Sequence, residues 1–375
     1  MPGAPDPSAA KTHVPNQRPP LDKTVLRALP PLRTPPRKFV AAFPDVVTRP
    51  DVKRLNLFLR LAEKTLDDIR ARGLYGCDSA PRAGSTRGWD YYSSDPERLF
   101  ALASSMNRYS QNHGRTPDLV HPTTGTEKLL VAKMFAEIPD GPPADKLKAE
   151  TYVPKDLRGL LSPVTRVWQS ETPVIPRNED IAPGRYFLKT NFGAGNNIAV
   201  EFPMDAATTE TLERQVRRWF ERRHLHGFWA AEWWYHLIEP RVYLEQNLAA
   251  EGEDIADWKF WVAGGRLQFV QVDQDRSTQH VQRIYDRDFK LLPDELYYQS
   301  DSNADPKPER FTDVVRIAEA IGTNLEFARV DFFLKGSEVF LGEITLCPFG
   351  AKKAMRSPEL DQRLARGWQG TRLFS

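Results

Sequence analysis

The stretch FARVDFFLKGSEVFLGEIT, residues 327–345, sets an arginine, two acids and a threonine at alternating positions around a Gly-Ser pair. Gly336 and Ser337 mark a tight turn, so the runs on either side should pair antiparallel. With Gly336-Ser337-Glu338 as the loop, Asp331 faces Glu343, their Cβ atoms roughly 4.5–5.5 Å apart. Val330, Phe332, Leu334, Phe340, Gly342 and Ile344 then form an apolar side, and Arg329, Asp331, Glu343 and Thr345 the other. Two carboxylates that close repel each other unless a cation lies between them. Magnesium suits such a place, because it takes one or two carboxylates and completes its shell with water or phosphate oxygens. Arg329, on the same side, could meet an anion or a developing oxyanion. Two plainer readings stay open: a solvated charged face, and a two-residue turn that sends Asp331 and Glu343 to opposite faces.

The second chemical signal is RYFLKTNFGAGNNIAVEFP, residues 185–203. It reads strand, small-residue loop, strand. The P-loop and the dinucleotide fingerprint both require a helix after the glycines, so neither applies. What remains is a hairpin whose tip can offer backbone N–H groups to phosphate, with Lys189 beside it as a point charge. An ordinary long hairpin turn fits the same residues.

These groups must be carried by an α+β framework. Helical spacing runs through DVKRLNLFLRLAEKTLDDIRARG, DPERLFALASSMNRYSQNH and GTEKLLVAKMFAEI, before any strand pattern appears. From residue 185 onward strands dominate: RYFLK, NIAVEF, RVYLEQNL, DWKFWVAGG, RLQFVQVD, FARVDFFLK and EVFLGEITL. TTETLERQVRRWFERRH and FTDVVRIAEAIGTN interrupt them as helices, and SETPVIPRNED reads as a linker. Residues 1–50 hold 12 of the 31 prolines and read as an extended arm.

Composition narrows the function classes. Lys and Arg total 52 against 50 Asp and Glu, a net charge of +2, which argues against nucleic acid as partner. Cys77 and Cys347 are too far apart in sequence for a metal or redox spacing, and His224, His226 and His236 lack cysteines to complete a zinc set. No window reaches the roughly 18 apolar residues of a membrane span. MPGAPDPSAAKTHVPNQRPP has no apolar signal segment, so a cytoplasmic location is expected.

Taken in order, the motifs resemble the ATP-grasp superfamily, and in particular its TupA-like branch. GTEKLLVAKMF resembles the first lysine segment, which implies that Lys128 reaches nucleotide phosphates. YFLKTNFGAGNN resembles the second lysine and glycine loop, giving Lys189, Gly193, Ala194 and Gly195. ARVDFFLKGSEVFLGEIT resembles the metal-binding strand pair, with Arg329, Asp331 and Glu343; Thr345 stands where most members carry Asn or Asp. EPRVYLEQNLAAEGEDIADWKFWV resembles the hinge: Glu245, Gln246, Asn247 and Leu248 for adenine, Asp257 for ribose, Lys259 for phosphates. VDQDRSTQHVQRIYDRDF shares the look of that branch, with Arg276 as a phosphate or substrate contact.

The resemblance spans Lys128 to Cys347 and implies a mobile β-rich lid at 166–244 and a mainly antiparallel core sheet at 245–375, behind a mainly helical part at 51–165. It implies ATP and Mg2+, with room for two ions and Mn2+ as a substitute. The implied reaction is ADP-forming carboxylate–amine ligation through an acylphosphate, on a carboxylated cell-surface polysaccharide, its precursor or a small molecule, with an amine acceptor. A kinase acting on a sugar or other alcohol is the alternative, and a homodimer is a further expectation.

Overall fold

The computed structural model describes residues 49–92, 94–228, 230–249, 255–274, 280–301 and 303–374. Most of the proline-rich arm, and Arg276, lie outside the described residues. Helix α1 (Arg49–Ala71) stops at Gly73, whose φ of 60° is the left-handed conformation that ends helices. Strand β1 (Ser85–Thr86) precedes α2 (Asp95–His113), where Glu97 accepts the Ser94 N–H at 3.2 Å and Gly114 (φ 69°) closes the C-terminus. Then come α3 (Gly125–Phe135), capped by Thr124 and Glu127, and β2 (Ile138–Pro139), which pairs with β1. Every residue of α3 is buried, so this helix has no polar stripe and forms the centre of the helical layer.

Two antiparallel sheets follow. The smaller contains β3 (Arg166–Ser170), β4 (Gly184–Thr190), β5 (Asn197–Phe202) and β6 (Val242–Gln246), in the order β3-β6-β4-β5. Helix α4 (Ala206–Glu221) contributes Leu212, Val216 and Trp219 to a separate apolar core with Leu188, Val200, Val242 and Leu244. This sheet ends at Gln246, so β6 runs two residues past the boundary expected at 244.

The larger sheet holds β7 (Asp257–Ala263), β8 (Arg266–Gln274), β9 (Val281–Tyr285), β10 (Leu291–Leu292), β11 (Phe327–Lys335) and β12 (Glu338–Thr345). Its order is β10-β9-β8-β7-β11-β12, every pair antiparallel. Helix α5 (Phe311–Gly322) packs beside β7 and β11, with Phe311 against Phe260 and Gly322 so close to Val262 that a Cβ there would lie 2.3 Å from a methyl. On the other face, Trp261, Phe269 and Phe327 stack toward Trp368, just beyond α6 (Pro358–Gly367). Alternation along β7 and β11 thus leaves one stretch of that second face to polar side chains. No helix among the described residues is long and apolar enough to cross a membrane.

His113 ends α2 stacked on Tyr109, ring centroids 3.6 Å apart, with its Nε2 buried and unbonded. Burial, and then Arg115, push its pKa down to about 4 from an ordinary 6.5. Between those values the unfolded chain binds a proton that the folded one refuses, so stability falls as pH drops through this window. His113→Phe keeps the stack and removes the titration. Chemical denaturation should show wild type losing stability relative to His113→Phe from pH 6.5 down to about 4. A constant difference across that range contradicts the assignment.

Candidate functional site

Strands β11 and β12 meet in a two-residue turn, with Lys335 paired to Glu338. Carried on unbroken, that ladder would set Asp331 opposite Gly342 and turn Glu343 to the far face. A β-bulge between Asp331 and Phe332 instead takes Gly342 out of the pairing, and Asp331 comes to face Glu343, with Arg329 facing Thr345. The three-residue loop is corrected, while the expected opposition of the two acids holds. The two-residue turn also changes the apolar side: Leu341 and Val339 pair with Phe332 and Leu334, whereas Phe340 pairs with Phe333 on the carboxylate side. A side chain at 342 has little room, since a Cβ would lie 3.1 Å from Phe333 Cε2 and 3.2 Å from the Asp331 carbonyl oxygen.

Register then extends the polar face across four strands. Asp331 pairs with Lys259, and Lys259 with Gln271. One row along, Phe333 pairs with Asp257, Asp257 with Asp273, and Asp273 with Gln282. All of these polar groups are buried, so each must be answered by another. The Lys259 ammonium sits between Asp257 and Asp273, the latter 3.1 Å away. Asp273 also accepts from Gln271 Nε2 at 2.8 Å and Gln282 Nε2 at 2.7 Å, and lies 3.1 Å from His280 Nε2. Burial opposes the Asp273 charge, but Lys259, Gln282 and His280 outweigh it and hold its pKa down.

Arg329 supplies the positive charge between the opposed acids. Its Nε and Nη2 donate to Asp331 at 2.7 and 2.6 Å, and Nη2 also reaches Glu343 Oε1 at 3.2 Å and Thr345 Oγ1 at 3.1 Å. The two acids differ sharply in environment. Burial pushes Asp331 up to about 7, against Arg329 and Lys259. Glu343 resists its own burial through Lys146 first, then Arg329 and Lys259, and is held at about 2. Glu343 keeps 34 % of its side chain exposed, against 6 % for Asp331. The donor set of two carboxylates and a hydroxyl is all oxygen and fits a hard divalent cation. Among the described residues no group of three or more His, Cys, Asp or Glu forms a metal cage, so such an ion would draw further ligands from elsewhere.

The glycine loop reaches this face through Lys146. Its Nζ donates to the Gly193 carbonyl at 2.8 Å and lies 3.6 Å from Glu343 Oε2. Asp145 beside it accepts from Asn191 Nδ2 at 3.0 Å. The loop joins β4 to β5, with Gly193 and Gly195 at φ 72° and 75°, where a side chain is strained. Asn196 fastens it by donating to Thr190 Oγ1 at 3.0 Å and to the Phe192 carbonyl at 3.3 Å. Ala194 and Gly195 are exposed at the tip. Lys189, at the base, donates to Glu245 Oε1 at 2.6 Å. Gln246, Asn247 and Leu248 bridge the two sheets: their backbone meets Thr165 and Arg185, and Lys335 Nζ donates to the Leu248 carbonyl at 3.0 Å.

Lys128 is not brought to this group. It lies within buried α3, its Nζ donating to the Ala365 carbonyl at 2.9 Å and resting over the Phe374 ring. Sequence reasoning passed over Lys146, Asp273, His280 and Gln282. The run PADKLKAETY shows no periodicity, and its one usable signal was a lysine beside an aspartate just ahead of the lid strands. A cleft of about 1050 Å³ also lies elsewhere and includes none of these polar groups. The opposed acids are the candidate centre because they concentrate buried charge on one sheet face.

The account of Gly342 yields a direct test. Gly342→Val adds methyls where even a Cβ is crowded, so it should lower stability by about 1–3 kcal/mol in a denaturant titration. An unchanged unfolding midpoint contradicts it.

Comparison with known proteins follows this geometry. Residues 144–367 match the model of the TupA-like ATP-grasp family, a segment that contains Lys146, Lys189, Asp331 and Glu343 and leaves Lys128 outside. A search of curated proteins returned no match. Solved structures that match include the ATP-grasp ligase PsnB complexed with minimal precursor, at 15% identity and TM-score 0.28, covering 55% of this chain and 52% of that one. PsnB complexed with minimal precursor, Mg and ADP matches at 16% identity and TM-score 0.30, over 60% and 59% of the two chains. The macrocyclase MdnC bound with precursor peptide MdnA from Microcystis aeruginosa MRC matches at 13% identity and TM-score 0.27, over 56% and 58%. The chain spans little more than half the length of each of these structures. Since the family match covers more than half of its residues, the protein belongs to the TupA-like ATP-grasp family.

Proposed function

We propose that this chain is an ATP-dependent, ADP-forming carboxylate–amine ligase centred on Asp331 and Glu343. The observation that carries the reading is the opposed acid pair with Lys146 tying it to the Gly193 loop. In this reading Lys146 and Lys189 hold the ATP phosphates, with backbone N–H groups of Gly193, Ala194 and Gly195. Lys146 takes the part that Lys128 was expected to play. Glu245 to Leu248 bind the adenine edge, Asp257 the ribose, and Lys259 stands behind the phosphates. Asp331, Glu343 and Thr345 would hold Mg2+, which when bound offsets phosphate charge during transfer.

The chain's own residues do the rest. The substrate carboxylate attacks the γ-phosphorus of ATP, ADP leaves, and the resulting acylphosphate is attacked by an amine that expels phosphate. In this reading Arg329 stabilises negative charge on the acylphosphate and on the tetrahedral oxyanion. Residues 166–246, carrying the glycine loop, act as the lid that keeps water from the acylphosphate, over the core sheet of residues 257–345. The family resemblance points to a carboxylated cell-surface glycan or its precursor as the acid.

A screen for ADP release over acid and amine pairs, with mass spectrometry of the products, tests the reaction class. An amide product is expected; a phosphate ester formed without any amine requirement would make the chain a kinase instead. Calorimetry with ATP tests the lysine assignment. Lys146→Met should weaken binding about tenfold or more, by loss of a charge-assisted contact. Lys128→Met should leave it unchanged, and the reverse pattern would restore Lys128 to the site.

A further inference from the structure

We propose that the large cleft remote from the acid pair is a second binding site, for a small ligand carrying two or more oxyanion groups. The cleft has a volume of about 1050 Å³, enough for a molecule of nucleotide or short-peptide size. Its walls are the β7–β8 turn, the residues after α5, the C-terminal residues 366–373, and loop residues between Tyr75 and Arg87. Strand β7 carries Asp257 at its start and enters the cleft at its far end, about 20 Å along the strand. The two places are therefore separate.

The charge lining this cleft is unusual for the chain. The whole protein has a net charge of only +2, yet six arginines and no lysine line the cleft, against three glutamates. Each of those acids is already engaged. Buried Glu137 receives both Arg82 and Arg372, the latter at 2.6 Å, and each guanidinium keeps terminal N–H groups unused. Glu319 is held bidentately by Arg287 at 3.0 and 2.9 Å, and also accepts from the Leu267 N–H. Glu326 accepts from Trp368 Nε1 at 3.2 Å and the Leu373 N–H at 3.1 Å. Arg266 and Arg366 are exposed, and their side chains make no hydrogen bond or ion pair among the described residues.

Five exposed guanidiniums with donors to spare thus converge on one cleft whose acids are satisfied. The planar fork of arginine matches carboxylate and phosphate oxygens two at a time, which lysine does not. The chain's own N-terminal segment is a poor occupant on charge, with seven basic against three acidic residues before Arg49.

Hydrogen–deuterium exchange on the full chain tests this, with inorganic pyrophosphate and tetraglutamate as separate probes. At least one should protect peptides covering residues 264–268 and 366–373, and whichever does so identifies phosphate or carboxylate as the preferred group. In the Arg266→Gln/Arg366→Gln double variant, the same protection should need about tenfold more probe. That variant removes two exposed, unbonded side chains, so its thermal transition should match wild type. No protection by either probe would overturn the proposal, as would an unchanged titration in the double variant. Peptides 366–373 already protected without probe and unresponsive to it would point to the N-terminal segment as occupant, and would also overturn it.

Discussion

Two carboxylates held face to face on neighbouring strands are the constraint around which this molecule is arranged. At about 5 Å and an effective dielectric near 20, their mutual repulsion is about 3 kcal/mol. A whole domain is stable by only about 5–15 kcal/mol, so the pair cannot stand without a countercharge. Arg329 provides it from the same strand, two residues before Asp331, because alternation returns side chains i and i+2 to one face. Lys259 on β7 and Lys146 from before the small sheet complete the shell. Arg329 holds its charge although burial works against it, because Asp331 and Glu343 favour the ionised form more strongly.

The remaining architecture follows from the need to keep this group dry on one side and reachable on the other. Beneath it, Phe260, Val330 and Phe332 on alternate positions of the same strands form a wholly buried layer beside α5. Above it, Glu343 stays partly exposed and Lys146 links it to a loop of the other sheet. That sheet has its own apolar core and is joined to the larger one through residues 246–248, while Phe192 of its loop packs into the main core. Asp331 and Glu343 differ in their pull on protons because one is enclosed and the other faces a lysine. Burial, not a lack of positive charge, is what raises Asp331, since Arg329 donates to both of its oxygens.

Much of this was legible in the sequence, and the failures have physical causes. Period-two alternation exposed β4, β5, β7, β8, β11 and β12, because each has one apolar side. Strand β3 escaped because it is a largely exposed edge strand, and β10 because two residues carry no pattern. The opposition of Asp331 and Glu343 was reached through a loop one residue too long. A bulge at Gly342 compensates for that residue, and bulges leave only a glycine as their trace. Lys128 lies away from the acid pair, and a helix buried all round has no polar face from which the direction of its lysine could be read. Lys146 stayed hidden because its position is set by tertiary contacts with Gly193 and Glu343, far apart in the chain.

Asp331 and Glu343 are proposed to form a cation-dependent nucleotide centre together. Calorimetric ATP binding, with and without magnesium, measured on wild type and on Asp331→Asn, tests it most directly. Wild type should bind ATP more tightly when magnesium is present, and Asp331→Asn should lose that gain while retaining magnesium-free binding. A gain of equal size in Asp331→Asn would contradict the account.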